Sequence, residues 1–302
     1  MSQVKDFGTG FILGDNYSTT QESIKLPLSR TKDEIKGIIF DFDGVLISFE
    51  IRFGWPFLQT IKKVKPDIKR EEITETMLKA FNYMTCNKHI KRKDFMKFLF
   101  FIGENLGLTK IQLIKMLLIF SFQYKKNNGK LVPQIGVREV LRELLASEYQ
   151  IALVTNSRRK TIEKAMEIIP ELKEFDIIIT TDDVENAKPN PEGFKRVLQY
   201  FKLEPHEVLS IGDQASDLVV GNKVGTKTVA ISYEYMNHLK EHFLEYNPNY
   251  LLDDLRDLPL LITLGKYLNR SKQTTIDLTE ETLLCYNVSN LETTSVSKRN
   301  YH

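Results

Sequence analysis

Residues 37–46 read Gly-Ile-Ile-Phe-Asp-Phe-Asp-Gly-Val-Leu, an apolar run that ends in two acids one residue apart and then a glycine. Such a run, with no polar alternation, predicts a strand buried on both faces, and strands of that kind belong to parallel sheets covered by helices. Ligands of an open parallel sheet collect just beyond the carboxyl ends of its strands. Asp41 and Asp43 fall there. Gly44 lets the chain turn, so the two carboxylates can face different ways and do different work. Two unpaired acids at one strand end repel each other and are costly to desolvate. A hard divalent cation with oxygen ligands relieves both problems. The competing reading of this pair is an aspartate that caps a helix before a turn.

After Pro133 the chain alternates between two periods. Apolar runs at Ile151 to Val154, Ile177 to Ile179, Val208 to Ile211 and Thr228 to Ile231 predict further buried strands. Helical patterns separate them, over 137–145, 158–168, 188–200, 213–225 and 236–246, and Leu251-Leu252 offers a short edge strand. This alternation predicts a doubly wound, Rossmann-like parallel sheet in the order 3-2-1-4-5. That order puts the first and fourth strands side by side, so Asp41 and Asp213 become neighbours. Thr155 ends the second strand, Asp213 ends the fourth, Asp217 follows on the next helix and Lys188 sits in a loop. All of them fall on one rim of the sheet.

Between the first strand and Pro133 the pattern is helical throughout. Helices are expected over 70–83 and 91–102, then a third to Tyr124 opened by a Thr109/Gln112 capping box. Asn127-Asn128-Gly129 predicts a turn. Phe95, Phe98, Phe100 and Phe101 read as the core of this insertion rather than as a platform for stacked bases. From Ile47 to Lys130 there are 17 Lys and Arg against 7 Asp and Glu, a balance of +10 in a chain whose net charge is +2. The remainder therefore carries −8, and a basic helical module faces an acidic one. The expected division is an arm over 1–34, an α/β core over 35–46 and 131–265, a helical cap over 47–130, and a polar extension over 266–302 with a short helix at 279–284. Gly8, Gly10 and Gly14 miss the dinucleotide spacing by one residue.

No apolar run reaches the length that spans a bilayer, and the first residues lack the apolar core of a signal peptide. The two cysteines, Cys86 and Cys285, are far apart. A cytoplasmic protein without a disulfide framework is expected, with no membrane and no nucleic acid as partner. Nothing in the pattern speaks to oligomeric state.

Taken in order, Asp41-Phe42-Asp43-Gly44-Val45, Thr155 in Val154-Thr155-Asn156, Lys188 in Lys188-Pro189, and Gly212-Asp213 with Asp217 resemble the four motifs of the haloacid-dehalogenase superfamily. The resemblance covers about 35–261 and is to the phosphatase branch with a helical C1-type cap, of the phosphoglycolate-phosphatase kind. Val45 stands where threonine is commonest. The resemblance implies Mg²⁺-dependent hydrolysis of a small, anionic phosphomonoester, phosphoglycolate-like or a sugar phosphate, through an aspartyl-phosphate. It makes Asp41 the nucleophile and Asp43 the general acid and base. Thr155, Asn156 and Lys188 would hold the phosphate. The metal would be held by Asp41, the Asp43 carbonyl, Asp213 and Asp217. Dehalogenases and phosphonate hydrolases of the superfamily lack an aspartate at the position of Asp43, which favours phosphate esters. The basic cap would steer the anion to the metal site, with Arg52 and Trp55 as substrate contacts or pins of the hinge. Two alternatives stand beside this reading. One is a sugar phosphomutase using the same residues, the other a phosphatase-like binding protein without catalysis.

Other motifs carry less. His238 and His242 match a zinc-peptidase spacing but lack a third ligand, and read as an exposed helix. Ser157 with Lys160 matches a serine-lysine pattern without its companions, and Ser157 reads as a helix N-cap. His206 follows Pro205 in a loop and reads as solvated.

Overall fold

The computed structural model describes residues 34–69, 71–73, 75–76, 79, 92–127, 130–233 and 240–270. Six strands form one parallel sheet: β1 (Gly37–Phe40), β2 (Gln150–Val154), β3 (Ile177–Ile179), β4 (Val208–Gly212), β5 (Lys227–Ile231) and β6 (Tyr250–Leu252). Their order is β3-β2-β1-β4-β5-β6, so the expected 3-2-1-4-5 core gains the edge strand at Leu251-Leu252. β1 lies between β2 and β4, with Ile39 opposite Ala152 on one side and Ser210 on the other.

The unbroken apolar runs make sense on both faces of this sheet. Successive side chains of a strand point to opposite faces. Ile38, Phe40, Ile151, Leu153, Leu209 and Ile211 enter one core, with Val137, Val140, Leu141 and Leu144 of α4 (Val137–Leu145). Ile39, Ala152, Val154 and Val208 enter another, with Phe194, Val197 and Phe201 of α6 (Glu192–Phe201) and Val220 of α7 (Ala215–Val224). α7 ends where expected, at Gly225 with φ +89°, a left-handed turn that suits glycine.

A helical module with its own core lies between β1 and α4. Phe57, Ile61 and Val64 of α1 (Trp55–Val64) pack with Leu99, Ile102 and Leu106 from and just beyond α2 (Arg92–Asn105), and with Leu113, Met116 and Phe120 of α3 (Lys110–Asn127). The Thr109/Gln112 box is formed: Thr109 N donates to Gln112 Oε1 at 2.9 Å and Gln112 N to Thr109 Oγ1 at 3.3 Å. The chain leaves and re-enters the sheet by adjacent passages, in which Ser48 N donates to the Val132 carbonyl and Gln134 N to that of Leu46.

Some expectations change. Of the four phenylalanines expected in the core of the module, Phe100 is 42% exposed and Phe101 is half-buried. α5 spans Arg159–Ala165 and stops short of Ile168. A helix unforeseen in the sequence, α9 (Leu258–Arg270), follows β6, and its Leu258, Leu261 and Ile262 complete the core beside α4. It runs past residue 265, where the polar extension was expected to begin. α8 (Lys240–Leu244) carries a buried His242, against the expectation of an exposed helix. The arm with its glycines, most of 70–83, the Asn128-Gly129 turn, both cysteines, His238 and the 279–284 helix lie outside the described residues, as do the side chains of Phe95 and Phe98.

Candidate active site

The carboxyl ends of β1, β2 and β4 are adjacent because the strands are, and each delivers a polar residue to the same place. Asp41 follows β1, and its N–H donates to the Ile211 carbonyl at 2.9 Å. Asp213 follows β4 and Asp217 sits one turn into α7. One carboxylate oxygen from each of Asp41, Asp213 and Asp217 falls within 4.8 Å of the others, and all three residues are buried. Lys188 Nζ reaches into the group, 2.6 Å from Asp41 Oδ1 and 2.7 Å from Asp217 Oδ1.

Two glycines allow this crowding. Gly44 has φ +87°, and a Cβ there would lie 1.7 Å from Asp213 Oδ2. A Cβ on Gly212 would lie 2.2 Å from that of Asp217. The loop after β1 is held by Gln134 Nε2 donating to the Gly44 carbonyl and by Tyr233 Oη donating to that of Val45, both at 3.2 Å.

The carboxylates are electrostatically unsettled. Burial, then the charges of Asp41, Asp217 and Asp43, push Asp213 well above the usual carboxylate range. Burial also raises Asp217, to about 7, against the pull of Lys188. Burial by itself would lower Lys188, but Asp217 and Asp41 outweigh it and hold the ammonium charged. Asp213 Oδ1 is buried without a hydrogen-bond partner. An orphaned carboxylate oxygen among acids, with an all-oxygen donor set, fits a hard cation. Asp217 spends Oδ1 on Lys188 and Oδ2 on the Gln214 N–H, so Asp41 and Asp213 are the better placed to meet such an ion directly.

Asp43 turns the other way, as Gly44 permits. Arg52 Nη1 pairs with its Oδ1, and Ser157 Oγ donates to its Oδ2 at 2.6 Å. Arg52 Nη1 also donates to Ser157 Oγ at 3.1 Å. Arg52 is 3% exposed, and its guanidinium carbon lies 4.8 Å from the Phe53 ring centroid, a cation–π contact. Burial raises Asp43, and Arg52 and Ser157 pull it back in part. Arg52 thus pins this segment to Asp43, whereas Trp55 is half exposed. Ser157 is not the helix cap the sequence suggested. Arg158 holds that position, and Ser157 belongs to the site. Its place three residues beyond the end of β2, two after Thr155, was the available signal.

Thr155 is buried, and its Oγ1 accepts from the Ser157 N–H at 2.9 Å. The Asn156 side chain brackets Lys188: Oδ1 accepts from its N–H and Nδ2 donates to its carbonyl. Asp41, Asp43, Thr155, Asn156 and Lys188, with Gln214 and Ser216, line a cavity of about 30 Å³. Asp41, Asp43, Thr155, Asn156, Lys188, Asp213 and Asp217, expected from the sequence to act on the phosphate and the metal, are therefore within this one region. The HxxEH pattern is elsewhere, with His242 Nδ1 3.4 Å from Glu245.

Comparison with known proteins agrees with the geometry. Residues 38–231 match the model of the haloacid dehalogenase-like hydrolases. Pyrophosphatase PpaX of Bacillus mycoides (strain KBAB4) is 31% identical over 235 residues, 76% of this chain and 97% of that protein. Among solved structures, a predicted phosphoglycolate phosphatase from Haemophilus somnus 129PT matches with TM-score 0.56 and 21% identity, over 77% of this chain and 99% of that one. The hydrolase YfnB of Bacillus subtilis, solved bound to magnesium, matches with TM-score 0.56 and 15% identity, over 76% and 100%. The chain belongs to the haloacid dehalogenase-like hydrolases.

Proposed function

We propose that this chain is a Mg²⁺-dependent phosphohydrolase that cleaves a compact phosphate compound by way of a phosphoryl group carried on Asp41. The observation behind this reading is the buried convergence of Asp41, Asp213, Asp217 and Lys188, with one Asp213 oxygen left unpartnered. A phosphate dianion repels nucleophiles, so its transfer depends on positioning and on neutralised charge. Mg²⁺ held by the Asp41 and Asp213 carboxylates and the Asp43 carbonyl, with Asp217 behind them, would supply positive charge at the transferring oxygens.

The chain's own residues do the rest. An Asp41 carboxylate oxygen bonds to phosphorus as the bond to the leaving oxygen breaks. Asp43 gives that oxygen its proton, then takes one from the water that cleaves the aspartyl-phosphate. Lys188 offsets the charge on phosphorylated Asp41. Thr155 Oγ1 and the Asn156 N–H orient the phosphoryl oxygens. Asn156 has its side chain committed to the Lys188 backbone, so it also keeps the lysine in place. The helical module, set beside the site by the Leu46–Ser48 passage, acts as the cap that excludes water.

Pyrophosphate is the leading substrate, because the PpaX relative carries that name and is covered almost whole. Phosphoglycolate and sugar phosphates are the next to test. Phosphate release should be measured with Mg²⁺ across this panel for the wild type and Asp41→Asn. Turnover should fall by roughly a thousandfold or more in the variant with an unchanged circular dichroism spectrum. Retained turnover would remove Asp41 as nucleophile, and an isomeric product without free phosphate would mean a mutase.

A further inference from the structure

α3 is apolar on two opposite faces, which is unusual for a helix at a protein surface. Leu113, Met116 and Phe120 point into the core of the helical module. On the other side Ile111 is 80% exposed, Ile114 58%, Leu118 68% and Phe122 68%. Their spacing of three, four and four residues places them in one stripe, about 16 Å long at the rise of an α-helix. Isolated exposed apolar residues are ordinary, but a contiguous row of four large ones marks an interaction surface.

The charge around the stripe indicates what it meets. The charged residues of α3 are Lys110, Lys115, Lys125 and Lys126, and the helix contains no acid. Lys110 and Lys115 are exposed on the two flanks of the stripe. The stretch from Ile47 to Lys130 carries the balance of +10. A second copy of the same face would bring only lysines to the seam. An anionic bilayer surface answers both features at one depth, hydrocarbon for the Ile, Leu and Phe side chains and headgroup phosphate for the lysines. We propose that the outer face of α3 is a docking surface for anionic lipid membranes, laid flat with Ile111, Ile114, Leu118 and Phe122 inserted. No described helix is long and apolar enough to cross a membrane; α3 rests on one. The hydrolytic residues play no part in this contact, so it stands or falls separately from the catalytic reading.

The test uses the full chain in flotation with vesicles of phosphatidylcholine alone or with about 30% phosphatidylserine. Binding should appear only with the anionic lipid and weaken as salt is raised. Leu118→Ser with Phe122→Ser should cut it about tenfold or more, with hydrolysis of soluble substrate unchanged as the control for folding. A Leu118→Trp probe in a Trp55→Phe background should be quenched readily by acrylamide in the free protein and shielded by vesicles. Absence of binding to the anionic vesicles, or binding that survives the double substitution, overturns the proposal. So does a dimer that the same substitution dissolves, which would make this face a contact between copies. A probe already shielded in the free monomer also overturns it, because the chain would then cover the stripe itself.

Discussion

Asp41 and Asp43 share a strand end but live in different electrostatic settings. Asp41 is paired with Lys188 among acids, while Asp43 is clamped by a guanidinium and a hydroxyl. The clamp occupies both Asp43 oxygens, so Arg52 sets where this carboxylate points. Arg52→Gln should therefore lower kcat about tenfold to a hundredfold, the usual effect of removing the partner that orients a reacting group. KM should change less. The melting temperature should also fall, because the variant leaves a buried acid without its cation. Kinetics and a thermal melt together check this; a variant unchanged in both would show that Arg52 is idle. Arg52 was legible as a nearby cation but not as the partner of Asp43. A motif names the residues at a strand end, and the counter-charge that burial demands can arrive from any part of the chain.

At the scale of elements, α4 is tied by more than its apolar stripe to the 3-10 turn that precedes β3, Pro170–Glu174. Arg138 and Arg142 converge on the buried Glu171, at 3.1 and 2.8 Å. Burial pushes the Glu171 carboxyl up, but the hydrogen bonds from Arg138 and the charges of both arginines outweigh it, and the group titrates below its ordinary 4.5. A lowered folded value means stability that is present above about pH 4.5 and lost as pH falls through the folded value. Glu171→Gln should cost about 1 kcal/mol at neutral pH, a modest figure because both arginines are half exposed. The difference from wild type should vanish in acid, as read by denaturant titrations at pH 7 and pH 3. A gap that stays constant with pH would assign the effect to packing. The elements themselves were largely legible. Uninterrupted Ile, Val and Leu runs admit few alternatives, and the capping box at Thr109 is local chemistry. α9 was missed although Leu258, Leu261 and Ile262 have helical spacing, because the core was carried to 265 with no element assigned after Leu252 and the polar residues from 266 on hid the rest of the helix.

For the whole molecule, the unpartnered Asp213 oxygen carries a desolvation cost that a bound cation would relieve. Mg²⁺ at about a hundred times its dissociation constant should stabilise the fold by roughly 3 kcal/mol, or about 5–10 °C in Tm for a chain of this size. A chelator should reverse the shift and Asp213→Asn should abolish it, both measurable by calorimetry without substrate. A melting temperature indifferent to Mg²⁺ would sink the metal reading.

The sequence by itself determined the sheet and its working rim. Buried parallel strands leave a continuous apolar signature, and residues beyond their carboxyl ends converge wherever the strand order makes neighbours. Tertiary structure alone decided how the acids are divided. Ser157 lies 114 residues from Asp43 and 105 from Arg52, and no local pattern encodes a contact at that separation. It also decided which apolar face of α3 is core and which looks outward, since a helix with two such faces carries no internal sign of where its neighbours are.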